Sequence, residues 1–168
     1  MLKQVAVESI SMNVFQAIGK QWMLVTAGNR EECNTMTASW GGLGILWGKP
    51  VATAYIRPQR YTKEFLDRED CFSLSFLPEQ YRKELTYCGR HSGRDEDKWA
   101  GSGLTPAVTE SGVPYVKEAE LVLVVRKQLC QKMDPQCILD AEVKEKHYPQ
   151  EDYHYMYIGE IVEAYQGV

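Results

Sequence analysis

Apolar and polar positions along this chain follow the period of strands more often than that of helices. Cys71–Leu77 is the clearest case, with Phe72, Leu74 and Phe76 on one side and Ser73 and Ser75 on the other, the period of two that a strand imposes. Gln21–Ala27 is a short apolar run ending at the turn signal Gly28-Asn29. Cys33–Trp40 is rich in Thr and Ser and is expected to stop at Gly41-Gly42. Pro50–Ile56 carries β-branched and aromatic residues, and Arg57-Pro58 ends it, because proline removes a ladder donor. Tyr115–Lys127, Cys137–His147 and Tyr155–Tyr165 complete the expected strands. In the last of these, Tyr155, Tyr157, Ile161 and Val162 mark apolar positions around Gly159, where a bulge or close approach is expected.

Helical signals are fewer. Thr62 is expected to cap a helix running to about Arg68, with Phe65 and Leu66 inward and Glu64 in its first turn. Pro78 opens a second helix to about Tyr87, with Tyr81, Leu85 and Cys88 on one stripe. Gly89–Gly103 is rich in glycine and charge, with a helical turn at Asp95–Trp99. Short helices that do not alternate regularly with strands argue against a doubly wound sheet. They favour a mainly β chain, a barrel with short helical insertions. No repeat, low-complexity stretch or linker divides the chain, so residues 1–168 are expected to form one domain.

Composition narrows the classes. Hydrophobic residues make up 44% and charged residues 25%, usual for a globular protein. The net charge of −4 gives no basic excess for nucleic acid or an anionic membrane surface. An anionic ligand therefore needs a local basic cluster. The cysteines, Cys33, Cys71, Cys88, Cys130 and Cys137, are odd in number and include no CxxC pair. The histidines at 91, 147 and 154 are scattered, and no metal pattern emerges. No signal segment or membrane-length apolar run is visible, so the expected location is cytoplasmic.

Three segments could carry chemistry. Arg57-Pro58-Gln59-Arg60-Tyr61-Thr62 gathers two guanidiniums, hydroxyls and a helix start, the donors a phosphate monoester requires. A capped turn with two solvated arginines explains the same residues. Asn34-Thr35-Met36-Thr37-Ala38-Ser39-Trp40 carries small side chains before an aromatic and two glycines, which lets a flat ligand approach the backbone. An ordinary edge strand explains it equally well. His91-Ser92-Gly93-Arg94, with Lys98-Trp99 beyond, reads either as a binding loop or as a solvated loop with self-pairing charges. No phosphate loop, G-x-G-x-x-G or G-x-S-x-G motif occurs, so any dinucleotide is bound without a Rossmann fold.

Taken in order, Asn34-Thr-Met-Thr-Ala-Ser-Trp-Gly-Gly, Arg57-Pro-Gln-Arg-Tyr-Thr, and His91-Ser-Gly-Arg-Asp with Lys98-Trp99 resemble the flavin reductase-like proteins, the flavoredoxin-like branch in particular. The resemblance runs from about Trp22 to Tyr165. It implies an FMN-binding split β-barrel of Greek-key type, usually a homodimer, with FMN as cofactor and NAD(P)H as electron donor. It places Asn34–Ser39 along the flavin ring, Arg57–Thr62 at the phosphate, and His91–Arg94 closing over the flavin. His154 and Gly159-Glu160 keep the spacing of the reductases' Gly-Asp-His signature, but Asp152-Tyr153 replace its first two residues. His154 is thus the candidate on the nicotinamide side. The rivals are a non-catalytic FMN carrier reduced by a partner protein, and a split barrel serving haem or pyridoxal phosphate. Thiol redox chemistry lacks a suitably spaced cysteine pair.

Overall fold

The computed structural model describes residues 1–167; Val168, the last residue of the expected domain, lies outside them. Ten strands appear: β1 (Leu2–Val5), β2 (Met23–Gly28), β3 (Cys33–Ala38), β4 (Gly41–Leu46), β5 (Lys49–Ile56), β6 (Cys71–Phe76), β7 (Pro106–Val108), β8 (Pro114–Val116), β9 (Leu121–Lys132) and β10 (Tyr155–Gly167). Eight form one antiparallel sheet in the order β3-β2-β6-β9-β10-β5-β4, with β1 added on β10. The strands at its two ends, β3 and β4, are consecutive in sequence and separated by Ser39 and Trp40 alone. So short a link between opposite edges forces the sheet to curl almost into a ring, leaving a split where β3 faces β5 and β4. This is a split barrel of Greek-key type, as expected.

Alternation explains the packing. Met23, Val25 and Ala27 of β2, Phe72, Leu74 and Phe76 of β6, and Leu121, Leu123 and Val125 of β9 fill the barrel interior. Leu24 and Val122 point the other way, into a second cluster with Leu85, Cys88 and Val116. Both faces of these strands are therefore covered, which is why β2 and β9 read as continuous apolar runs. Ser73 and Ser75 are buried too; Ser73 donates to the Pro114 carbonyl at 2.6 Å and Ser75 accepts from the Val116 amide at 3.2 Å.

Several expectations need correction. Cys137–His147 is not a strand. Asp140 accepts from the amides of Glu142 and Val143 and so starts a helix over Ala141–His147, a polar segment with no strand partner. Gly41-Gly42 opens β4 instead of ending a strand, because a side chain at Gly41 would lie 2.6 Å from the Thr53 carbonyl oxygen and the residue must be small to pair with β5. The expected strand Tyr115–Lys127 is broken at Lys117–Glu120, and its second part runs on to Lys132. The helix after Pro78 starts as a tight turn, Glu79–Tyr81, and continues over Arg82–Arg90. The turn expected at Asp95–Trp99 lies at Lys98–Ser102, capped by Asp97. The N-terminal β1 gave no sequence signal.

Candidate functional site

A cleft of about 360 Å³ opens at the split, lined by Met36, Thr37, Ala38, Ser39, Trp40, Tyr55, Arg57, Gln59, Arg60 and His154. Its location follows from the topology. The short Ser39-Trp40 link pins the β3 edge near β5, and the end of β5 delivers Arg57–Arg60 to the same place.

Edge strand β3 pairs only with β2, so one side of its backbone needs other partners. Three donors supply them. Trp99 Nε1 donates to the Cys33 carbonyl at 3.2 Å, Lys98 Nζ to Thr35 at 2.8 Å, and Arg60 Nη2 to Thr37 at 3.2 Å. In an antiparallel strand a residue's N–H and C=O point the same way. The amide of Thr37, at the cleft wall, therefore also faces away from β2, as a donor available to a ligand. Lys98 and Arg60 additionally hold the last carbonyls of the Arg82–Arg90 helix, donating to Cys88 at 3.0 Å and Gly89 at 2.9 Å. Cations suit that end of a helix.

These two cations differ from Arg57. Arg57 is neutralised by Asp152 at 2.7 Å and also donates to the His147 carbonyl at 2.9 Å. Among the described residues no carboxylate lies within ion-pair distance of Arg60 or Lys98. Burial, reinforced by Arg57, holds the Arg60 guanidinium below its ordinary pKa, and burial lowers the Lys98 amine to about 8. Uncompensated positive charge thus sits at and behind one wall of the cleft, which favours an anionic ligand there.

The opposite wall is aromatic. His154 is buried, with burial and the Arg57 charge lowering its pKa to about 4. Trp40 packs against His154 and His147 at ring separations of 5.0 and 5.1 Å.

The structure divides the expected site residues. Met36, Thr37, Ala38, Ser39, Trp40, Arg57, Gln59, Arg60 and His154 line the cleft together. Asn34, Thr35, Tyr61 and Thr62 lie behind it. The Asn34 amide donates to the Thr62 hydroxyl at 2.8 Å, both side chains being buried. Thr62 is therefore the first helical residue and no cap; the cap position is Tyr61, whose side chain bonds nothing there. Gly93 rests on Asn34: a β-carbon at Gly93 would lie 2.3 Å from Asn34 Oδ1. Arg94 pairs with Glu64 and stacks over Tyr61, and Ser92 accepts from the Arg94 amide. His91 does not reach the cleft; it bonds Glu96 and stacks on Tyr87. Trp99 supports β3 from behind. Tyr55 was missed, although its position one residue before buried Ile56 on β5 puts it on the cleft-facing side. The role of Lys98 had no sequence signal beyond its place beside Trp99.

Fold and site together define a split-barrel protein whose cleft carries unpaired positive charge at one wall. The flavin reductase-like domain matches residues 15–167, and the chain belongs to that family. An FMN-binding domain of a flavin reductase-like enzyme from Shewanella baltica is similar in structure, with TM-score 0.72 and 15% identity, covering 99% of this chain and 77% of the other. Flavoredoxin of Desulfovibrio vulgaris gives TM-score 0.67 and 25% identity over 87% and 69%. An NADH:FAD oxidoreductase from Streptomyces globisporus gives 0.66 and 18% over 88% and 74%. No curated protein matches the chain.

Proposed function

We propose that this chain binds FMN in the cleft at the split and passes reducing equivalents from NAD(P)H through it to a further acceptor. The observation that carries the reading is the Arg60 guanidinium, a cation without a carboxylate partner on the wall of a cleft whose other side is edge-strand backbone. The residues fit the group. Arg60 meets the phosphate as a fixed, oriented charge, with Gln59 beside it. The small side chains of Thr37, Ala38 and Ser39 admit a flat ring to the outward amide of Thr37. Trp40, Tyr55 and His154 form the apolar and aromatic side.

FMN supplies hydride-accepting chemistry when bound. The chain's own task is to hold the ring, exclude water from one face and admit a nicotinamide on the other. Positioning of this kind lowers a barrier by several kcal/mol without an acid–base pair. His154 borders the nicotinamide side in this reading, and the family resemblance supports a homodimer.

The purified protein is expected to be yellow or to take up added FMN, and to bleach anaerobically on addition of NADH or NADPH. A protein that stays colourless with FMN refutes the site. A yellow protein reduced by neither nucleotide refutes the donor and supports the carrier, with electrons arriving from a protein partner.

A further inference from the structure

His154 stands between the cleft and a neighbouring apolar groove. The groove includes Tyr148 in its wall and shares Ser39, Trp40 and Tyr55 with the cleft. The Tyr148 hydroxyl lies 2.8 Å from His154 Nδ1, and both residues are buried. Among the described residues none is hydrogen-bonded to Nε2. Among the described residues the only buried side-chain nitrogen or oxygen without a partner is Glu84 Oε2. Nε2 is therefore open to solvent, and the cavity His154 lines is the cleft.

The imidazole is neutral near pH 7, because burial and Arg57 disfavour its charged form. A neutral imidazole has one N–H and one acceptor nitrogen. Which nitrogen holds the proton depends on Tyr148. The hydroxyl has two neighbours, Nδ1 at 2.8 Å and the Met133 sulfur at 3.5 Å. Thioether sulfur is a weaker acceptor than an imidazole nitrogen, which favours donation of the hydroxyl to Nδ1 and, in that arrangement, places the imidazole proton on Nε2. The Tyr148 ring is itself fixed, stacked on Tyr153 at 4.8 Å and covered by the Arg57 guanidinium at 5.3 Å.

We propose that Tyr148 is a positioning residue that locks His154 in the Nε2–H tautomer, so that the cleft presents a neutral hydrogen-bond donor to a carbonyl oxygen of the incoming molecule. A neutral N–H suits an amide or ketone oxygen; it neither repels a cationic oxidised nicotinamide nor demands an anion. The carboxamide of a nicotinamide nucleotide has such an oxygen, and in that respect the inference rests on the function proposed above.

Nitrogen NMR of the imidazole tests the tautomer directly and needs no turnover. The proton is expected on Nε2 in the unmodified protein, and Tyr148→Phe is expected to mix the two tautomers. A proton on Nδ1, or a tautomer unmoved by Tyr148→Phe, overturns the proposal. In kinetics, Tyr148→Phe is expected to raise KM for the nucleotide about three- to tenfold, the scale of one neutral hydrogen bond, with kcat changed less than about twofold. His154→Gln supplies an amide donor that needs no partner at Nδ1. In that background Tyr148→Phe is expected to leave KM unchanged; an equal rise there means that Tyr148 acts through shape alone and overturns the proposal. If neither nucleotide reduces the protein, the donor reading falls while the tautomer measurement still decides the role of Tyr148.

Discussion

Arg60→Met keeps an unbranched apolar side chain and removes the guanidinium. Two carbonyls then lose their donors: Gly89 at 2.9 Å, on the Arg82–Arg90 helix, and Thr37 at 3.2 Å, on the β3 edge. A hydrogen bond from a charged donor contributes about 1.5–3 kcal/mol, and the longer contact belongs at the low end. Against this stands relief of the buried cation's own desolvation, which a nearby carboxylate does not offset and which lowers its pKa. The balance is a loss of about 2 kcal/mol in the flavin-free protein, or about 4–8 °C in melting temperature for a domain of this size. A second effect is separate. Loss of the uncompensated charge is expected to weaken FMN by about 1.5–3 kcal/mol, roughly 10- to 150-fold in Kd. Calorimetry of the flavin-free protein and fluorescence titration with FMN measure the two effects. Arg57→Met is the control: its charge is already paired with Asp152, so it is expected to raise the FMN Kd less than Arg60→Met does. An unchanged Kd with lowered stability makes Arg60 a strap alone and moves the phosphate elsewhere. A larger Kd change for Arg57→Met refutes the charge-pairing argument itself.

Two further perturbations probe the scaffold. Gly159→Ala would place a β-carbon 2.3 Å from the Arg126 carbonyl oxygen and 2.7 Å from Val125 Cγ1; because the first clash is with backbone, a loss of about 3 kcal/mol or more is expected in denaturant unfolding, and a loss under about 1 kcal/mol contradicts the close approach. His154 gives a pH dependence of known sign: its folded pKa of about 4 lies below the ordinary 6.5, so the unfolded chain takes up a proton first as pH falls. Stability present above pH 6.5 is lost between about 6.5 and 4, by about 2–3 kcal/mol, and His154→Gln is expected to flatten that part of the stability–pH curve.

The barrel was legible where one residue's environment repeats every second position. Phe72, Leu74 and Phe76 against Ser73 and Ser75 gave β6 correctly, and Gly159 marked a real register shift in β10. Cys137–His147 failed because capping decides it: one side-chain oxygen on Asp140 satisfies two amides and turns a weakly patterned segment into a helix. β1 failed because its stability comes from pairing with distant β10, which no local pattern of four residues reports.

For the site, the segments were found but their division of labour was not. Sequence order treated Asn34–Trp40, Arg57–Thr62 and His91–Trp99 as three surfaces meeting one ligand. In the structure, residues on those segments divide between lining the cleft and supporting the edge strand beside it. Thr37, Ser39 and Arg60 line the cleft, whereas Asn34, Thr62, Gly93 and Trp99 brace β3 from behind. An open strand edge would otherwise fray or pair with another chain. Here the outward carbonyls of Cys33, Thr35 and Thr37 each receive a side-chain donor, two of them cationic. The same device that stabilises the split therefore charges it. Arg60 and Lys98 hold the barrel's edge in place because they are donors, and they make that edge attractive to an anion because no carboxylate among the described residues accompanies them.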